Sequence, residues 1–429
     1  MKPAILSDKK VITGWCFYDW ANSVYALVIT ATIFPIYFNE VTSSASSDVV
    51  SFFGRHYINT ELYAYTLSAA FLLVALLSPA LSSIADYSGS KKKFMQFFCY
   101  LGALSCMSLF FFDGTNIEFG IIAFALTTIG YSGSIVFYNS FLPEIATPEE
   151  QDKVSARGFA FGYFGSLILL ALNLSMAMNP EMYGLADKGE AARVAFVMVG
   201  IWWIGFAQIT FSRLPDNVYN RKVSGNILLK GYQEFLLVWK ELRKSRLLIT
   251  FLMAFFFFNA GVQTVIYMAT NFGTKEIGAA PDLLIVAIMV IQVFGIVGAI
   301  GFSRLSGKFG NTKTLIVIMT IYIALCIWVY FIYEQNTFVI AAAFVGFVMG
   351  GSQALSRSTY SKMLPKTEDH ATFFSIYDVM EKLSVVIGTL SFGLMEHWTE
   401  NMRDSIALLV VFFVVGIVLL SRIKKWKYA

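Results

Sequence analysis

Tyr138-Asn-Ser-Phe-Leu-Pro143 and Tyr360-Ser-Lys-Met-Leu-Pro365 each close a long apolar run, and their prolines stand 222 residues apart. A second pair of segments keeps nearly the same spacing. Asp86-Tyr-Ser-Gly89-Ser-Lys-Lys and Gly307-Lys-Phe-Gly310-Asn-Thr-Lys begin 221 residues apart, each just after another apolar run. Separate stretches that share one offset read as a parallel internal repeat, the trace of a chain built from two like halves.

Around these segments lie twelve predominantly apolar stretches, at about 11–38, 62–85, 94–112, 117–140, 157–178, 192–211, 248–272, 283–303, 314–333, 337–356, 371–394 and 404–421. A helix needs about 20 such residues to cross roughly 30 Å of hydrocarbon. None of the runs shows the period-two alternation of a membrane barrel, and open sheet edges do not survive in lipid. The expected fold is an all-α membrane protein with twelve transmembrane helices in two six-helix bundles. Residues 1–211 form the first bundle, 212–247 a linker and 248–429 the second. Of the 429 residues 57% are hydrophobic and 14% charged. An average soluble protein carries about a quarter charged residues, so too little ionic surface exists here for a water-facing shell.

Lys and Arg set the orientation. With the N-terminus inside, 26 of the 32 basic residues fall on inward segments and five on outward ones, leaving Lys382 inside a span. Both termini are therefore expected in the cytoplasm, in a multi-pass protein of the bacterial cytoplasmic membrane. The first apolar run follows a short polar start with no small-residue cleavage site, so it reads as a retained span. The linker stretch 230–246 is apolar on one side and basic on the other, which suits a helix lying on anionic headgroups, or one that merely joins the halves.

A charge at mid-bilayer costs at least ~2.5–3.5 kcal/mol and wants a partner or a wet cavity. Asp19, Asp378, Glu381 and Lys382 are the four ionisable residues expected well inside spans. Residues 378, 381 and 382 share one helical face. Lys382 can neutralise Asp378 or Glu381 but hardly both, which leaves one carboxylate to bind a proton reversibly. The same constellation reads equally as an ion-pair network holding a gate. Asp19, Asn22 and Tyr25 make a polar stripe on span 1, and Asn259, Gln263 and Tyr267 one on span 7. Amides and phenols offer donors and acceptors without fixed charge, suited to zwitterionic or polar neutral solutes, and they also serve to bond neighbouring helices.

Ser82-Ser-Ile-Ala-Asp86-Tyr-Ser-Gly89-Ser-Lys91-Lys92 resembles the loop 2–3 signature of the major facilitator superfamily, with Ser82 where the first glycine usually stands and a Ser before the basic pair. Gly14-Trp-Cys-Phe-Tyr-Asp19-Trp-Ala-Asn22-Ser, Phe34-Pro-Ile-Tyr-Phe38, Val154-Ser-Ala-Arg157-Gly-Phe-Ala-Phe-Gly-Tyr163 and Gly350-Gly-Ser-Gln353-Ala-Leu-Ser-Arg357-Ser follow in the order of the vacuole-effluxer-like branch. Fungal members of that branch export amino acids from the vacuole during autophagy. The resemblance implies a secondary transporter rocking between two bundles. It places Asp19, Asn22, Tyr25, Tyr138, Asn139, Asn259, Gln263 and Gln353 at the substrate cavity, and Asp19, Asp378, Glu381 and Lys382 in proton coupling or a charge network. Asp86, Gly89, Arg157 and Arg357 become gating residues, Asp86 capping span 11 and meeting Arg157. One departure stands out: relatives commonly read N-D-G-V-Q-T in span 7, and Ala260 replaces the Asp here. Gly158, Gly162 and Gly165 in span 5 and Gly295, Gly298 and Gly301 in span 8 are expected to pack across the interface of the halves.

Several classes are excluded. The chain has no Walker-type phosphate loop, no H-E-x-x-H and no Cys/His cluster; Cys16, Cys99, Cys106 and Cys326 sit in apolar runs, and His56, His370 and His397 lie far apart. No enzyme, cofactor, metal or nucleic-acid role is expected. The expected partners are a small-molecule substrate, protons and membrane lipids, for a monomer. Export of lipophilic compounds, or a non-transporting receptor signalling through its central loop, stay open as alternatives.

Overall fold

The computed structural model describes residues 6–43, 47–219, 221 and 227–423. Lys2 and the tail lysines 424, 425 and 427, part of the inward charge count, lie outside the described residues. Helix α1 (Lys9–Val24) continues through nine residues, Tyr25–Ile33, whose hydrogen bonds widen to span five residues, and then through α2 (Phe34–Thr42). An antiparallel hairpin follows, β1 (Val49–Phe52) paired with β2 (Arg55–Ile58). Its two-residue turn, Phe53-Gly54, has φ of 48° and 75°, the geometry that matches strand twist. No strand was expected here, although Val49-Val50 and Tyr57-Ile58 flanking a Phe-Gly turn carry a short hairpin signal.

The remaining helices are α3 (Asn59–Ser88), α4 (Lys91–Ser108), α5 (Ile117–Ser140), the single turn α6 (Leu142–Ile145), α7 (Gln151–Met178), α8 (Lys188–Arg213), α9 (Ile227–Lys244), α10 (Arg246–Lys275), α11 (Pro281–Phe309), α12 (Asn311–Tyr330), α13 (Gln335–Met363), α14 (His370–Thr399) and α15 (Met402–Ser421). Eleven described helices are long and apolar enough to cross a membrane. The expected eleventh span falls on α14, outside that group, which is 30 residues long and carries Asp378, Glu381 and Lys382.

Two apolar clusters divide at the linker. One gathers residues between Val11 and Leu214, the other residues between Val238 and Ile423. Ala371 is the exception, packed into the first cluster from the start of α14. Small residues make a third contact between the halves, with Ala156 of α7, Ala299 of α11 and Ala354 of α13 together.

Several helices supply their own N-caps. The side chains of Asp8, Asn116, Asp187, Ser245 and Asn401 accept from the first amides of α1, α5, α8, α10 and α15. Helix α14 does not: Asp369 precedes it and makes no capping bond. Its orphan amides are met from the other half of the molecule.

Most helices run further than their apolar runs, and in two of them the extension matters for the interface. Helix α13 continues seven residues past the expected end at 356, and α7 begins six residues before the expected start at 157. Arg357, Lys362 and Asp152 thereby sit on helices and are buried. The expectation of four ionisable groups inside the helical body is therefore too low. Paired charges let a helix extend where hydropathy stops.

Candidate functional site

Asp19 of α1 and Arg357 of α13 meet across the two halves. One carboxylate oxygen of Asp19, Oδ2, accepts from Tyr138 Oη at 2.7 Å and Arg357 Nη2 at 3.1 Å. The rest of the guanidinium fork is also used. Nε donates to Ser155 Oγ at 2.9 Å, Nη1 to Asn139 Oδ1 at 3.3 Å and Nη2 to the Ser155 carbonyl at 2.9 Å. Ser155 Oγ in turn donates to the Ala354 carbonyl at 2.7 Å. Phe159, Trp15 and Tyr138 surround the guanidinium, with ring centroids 4.1, 4.8 and 5.4 Å away. Weak hydration and planarity make Arg the cation suited to such a box. Trp15 is fixed there by stacking on Tyr138 at 4.4 Å and by donating Nε1–H to the Tyr138 carbonyl.

Gly158 makes the pair possible. A Cβ there would stand 2.4 Å from Asp19 Oδ2 and 3.0 Å from Arg357 Nη2. Helices α7 and α11 pack across the interface as expected, but Gly162 and Gly165 face Ser23 and Trp20 of α1 within the first half. Gly295 does meet Tyr163 across the interface, while Gly298 abuts the Phe347 backbone of its own half.

A second group lies on α14. Lys382 Nζ contacts Asp378 Oδ1, as the one-turn spacing predicts. Asp378 Oδ2 is buried without a hydrogen-bond partner among the described residues. Glu381, partly buried, has no ion pair within 4 Å among the described residues. Asn259 Nδ2 donates to Ser384 Oγ at 2.6 Å, tying α10 to α14. Gln263 is partly buried. The Ala260 backbone lies against Gly388 of α14. Gln353 accepts from Tyr163 at 2.6 Å, another bond between the halves. Asn22 is buried, with Oδ1 accepting from Ser23 at 3.4 Å and Nδ2 unpaired among the described residues. Tyr25 bonds Thr128 at 2.7 Å and packs on Tyr131 and Trp203, which places it in the first core.

Two buried carboxylates tie one end of the interface. Asp86, at the end of α3, accepts from the Ala371 amide at 3.2 Å and from the Thr372 amide and hydroxyl at 2.7 and 2.8 Å. It is the missing cap of α14. Gly89 ends α3 with φ of 64° and lies so close to Asn217 that a Cβ would sit 2.5 Å from its side chain, so only glycine fits. The cation near Asp86 is Lys91, at 3.9 Å, and Lys91 also contacts Glu144, which His370 bonds at 3.0 Å. Arg157 takes no part: it is exposed, its guanidinium 5.3 Å from the Phe161 ring. The expected Asp86–Arg157 contact is corrected to Lys91. From the linker, Arg221 donates to the Asp86 carbonyl at 3.0 Å and pairs with Asp369 at 2.8 Å. Burial opposes the Arg221 charge, and the Asp369 carboxylate more than compensates, raising its pKa.

Asp152, in the first turn of α7, is the other. It accepts from Lys362 Nζ and Asn311 Nδ2 at 2.7 Å each and from Ser306 Oγ at 2.8 Å. Sequence reading missed Asp152, Asn311, Lys362, Glu144 and His370. Their only signal was position beside the paired Leu-Pro and loop segments.

A family model described as "Vacuole effluxer Atg22 like" matches residues 7–427. The chain belongs to the vacuole effluxer Atg22-like family. The MFS-type transporter YxiO of Bacillus subtilis is 31% identical over 410 residues, covering 95% of this chain and 93% of that one. Autophagy-related protein 22 of Kluyveromyces lactis is 25% identical over 472 residues, with 95% and 92% covered. Among solved structures the fold matches the major facilitator superfamily transporter FucP in its outward conformation, with TM-score 0.74 at 13% identity and 97% and 99% coverage. The proton:xylose symporter XylE matches with TM-score 0.69 at 13% identity, covering 97% and 94%. This Atg22-like chain is thus a multi-pass membrane transporter of the major facilitator superfamily, not an enzyme.

Proposed function

We propose that this chain moves a small polar solute, an amino acid or related metabolite, by alternating access between two six-helix bundles, with α14 as one of twelve spans. Its cytoplasmic end is the one tied by Asp86, Asp152 and Arg357, so the solute site opens to the outside in this state. The single observation that supports the reading most is the Asp19–Arg357 pair. A buried ion pair whose members come from opposite halves makes the closed arrangement conditional on charge, which is what a switching interface requires. Glu381, with no cation on it, is the group proposed to carry the coupled proton, and Lys382 with Asp378 the pair that orients a zwitterion beside Asn259 and Gln263. The protein works as a monomer in a bacterial inner membrane.

Uptake by proteoliposomes of radiolabelled amino acids under an imposed pH gradient tests this. Wild-type protein should accumulate at least one of them. Glu381→Gln should retain counterflow exchange at equal pH and lose gradient-driven accumulation, and Asp19→Asn should slow both. Accumulation by Glu381→Gln equal to wild type would remove that residue from coupling. An apolar cavity in the second half, lined by Met268, Phe272, Tyr322, Phe338 and Phe392, favours a second reading, export of lipophilic compounds. Deletion would then raise drug sensitivity, with no amino acid accumulated.

A further inference from the structure

Helix α9 joins the halves and carries a surface that solute transport does not use. Its residues divide into three sectors around the axis. Gly231, Val238 and Leu242 are buried. Gly231 rests on Ile84 of α3, where a Cβ would stand 2.7 Å from Ile84 Cγ1, whereas Val238 and Leu242 belong to the core cluster of the second half. The helix is therefore a strut seated on both bundles. A second sector holds Leu229, Tyr232, Leu236 and Trp239, at i, i+3, i+7 and i+10, each between 44% and 61% exposed. Beside that stripe project Lys240, Arg243 and Lys244, all exposed.

An aromatic-bearing apolar stripe edged by cations has the chemistry of the headgroup boundary of a bilayer, where rings and methylenes enter the acyl region and cations meet phosphate. Helix α3, on which α9 rests, likewise exposes Leu72, Leu73, Leu76 and Leu77. The strut also stands beside the tied end. Ile84 lies two residues before Asp86, and Arg221 of the same linker bonds the Asp86 carbonyl, Glu368 and Asp369.

We propose that α9 binds the anionic phospholipid headgroups of the adjoining leaflet and, so bound, holds the two halves together at the Asp86 end. Both seats of the strut are filled in this arrangement. Separation of α3 from the second half would empty one of them and tilt the stripe out of the headgroup plane. Anionic lipid thus acts as a ligand of the tied state, shifting a population without touching the solute site.

The test uses the full-length protein carrying Lys93→Cys and Lys313→Cys, exposed positions on α4 and α12 at the tied end. The four native cysteines are buried, so spin labels go to the new sites. Pulsed EPR distances are compared in nanodiscs of phosphatidylcholine alone and of phosphatidylcholine with phosphatidylglycerol. Phosphatidylglycerol should raise the ratio of short- to long-distance populations by roughly fivefold and slow deuterium uptake of residues 229–244. Lys240→Glu, Arg243→Glu and Lys244→Glu together should erase both effects. Identical distance distributions in the two lipids would overturn the proposal, and so would a lipid effect that survives charge reversal. The lipid comparison needs no change in α9, so a misfolded variant cannot imitate the result.

Discussion

The Asp86 and Asp152 ties both join the two halves at one end of the interface and are built from different chemistry. Asp86 leaves the end of α3 and caps α14, where its partners are two backbone amides and one hydroxyl. Asp152 stands in the first turn of its own helix, α7, and takes a lysine, an amide and a hydroxyl from α13, α12 and α11. A repeat that copied side chains would place an acid on the end of α11 to cap α7. Gly307 stands there instead, and the acid lies in α7 itself. The two ties meet at one end of the interface with their charges placed differently. Asp19, Asp86, Glu144 and Asp152 are all anions of the first half, answered by Arg357, Lys362, His370 and a helix N-terminus of the second. The Asp19–Arg357 and Asp152–Lys362 pairs, with the anion on the first half and the cation on the second, favour closure at this end.

The largest effect should come from Arg357, the charge that serves four hydrogen bonds across the halves. Arg357→Met leaves Asp19 buried with only Tyr138 upon it, and should cost about 3–5 kcal/mol of stability, read as a fall in thermal midpoint in detergent. Asp19→Asn combined with Arg357→Met should be less destabilised than the sum of the two, because neither variant then strands a charge. Additive losses would mean that the two side chains do not depend on each other. Arg357→Lys should recover little, since an ammonium cannot serve four acceptors in a plane inside an aromatic box.

Asp152→Ala comes next. It takes the carboxylate from Lys362, which keeps the neutral Asn311 Oδ1 at 3.1 Å, and frees Asn311 Nδ2 to the Thr359 hydroxyl, its other acceptor at 3.0 Å, with an expected loss of about 3 kcal/mol. Asp86→Asn should cost less, about 1–2 kcal/mol, because the orphan amides of α14 retain a neutral acceptor and no cation is fully abandoned. Its effect should show instead in conformation. Asp86→Asn should raise labelling of a cysteine at Thr372 more than Asp152→Ala does, since the helix start is held by that one side chain. If both ties open Thr372 equally, the contrast between them fails and the end closes as a single unit.

Much of this was legible in the residues and some was not, for identifiable reasons. Apolar runs carried the helices, because hydropathy is an average over many residues. The Asp86 cap was implied by its signature, and the Lys382–Asp378 contact by one-turn spacing. Arg157 misled because the signature says that a cation approaches Asp86 without saying from where; Lys91, five residues on, already filled that place. Asp152 and Lys362 were lost to hydropathy, and Arg357, expected at a gate, was left just past a span end, because hydropathy ends a helix at the first charge and cannot foresee that a partner about 200 residues away will bury it. Glu144 and His370 needed the two halves side by side before their contact existed at all.

The smallest effect separates burial from proximity, on one turn of α7. Glu150 stands two residues before Asp152 and, unlike it, faces water; the Ser7 hydroxyl donates to its Oε2 at 2.5 Å and holds its carboxyl below the usual glutamate value. A depressed carboxyl stabilises the fold at pH above its unfolded value, and the contribution disappears as pH falls through the lowered one. Ser7→Ala should therefore return the Glu150 titration upward, seen by carboxyl chemical shift, and flatten the acid limb of the stability curve slightly. Water screens an exposed pair, so the loss at neutral pH should stay below about 0.5 kcal/mol, several times smaller than for Asp152→Ala. A Ser7→Ala loss as large as that of Asp152→Ala would show that contacts at the tip of α7, and not the buried acid inside it, hold this side of the interface.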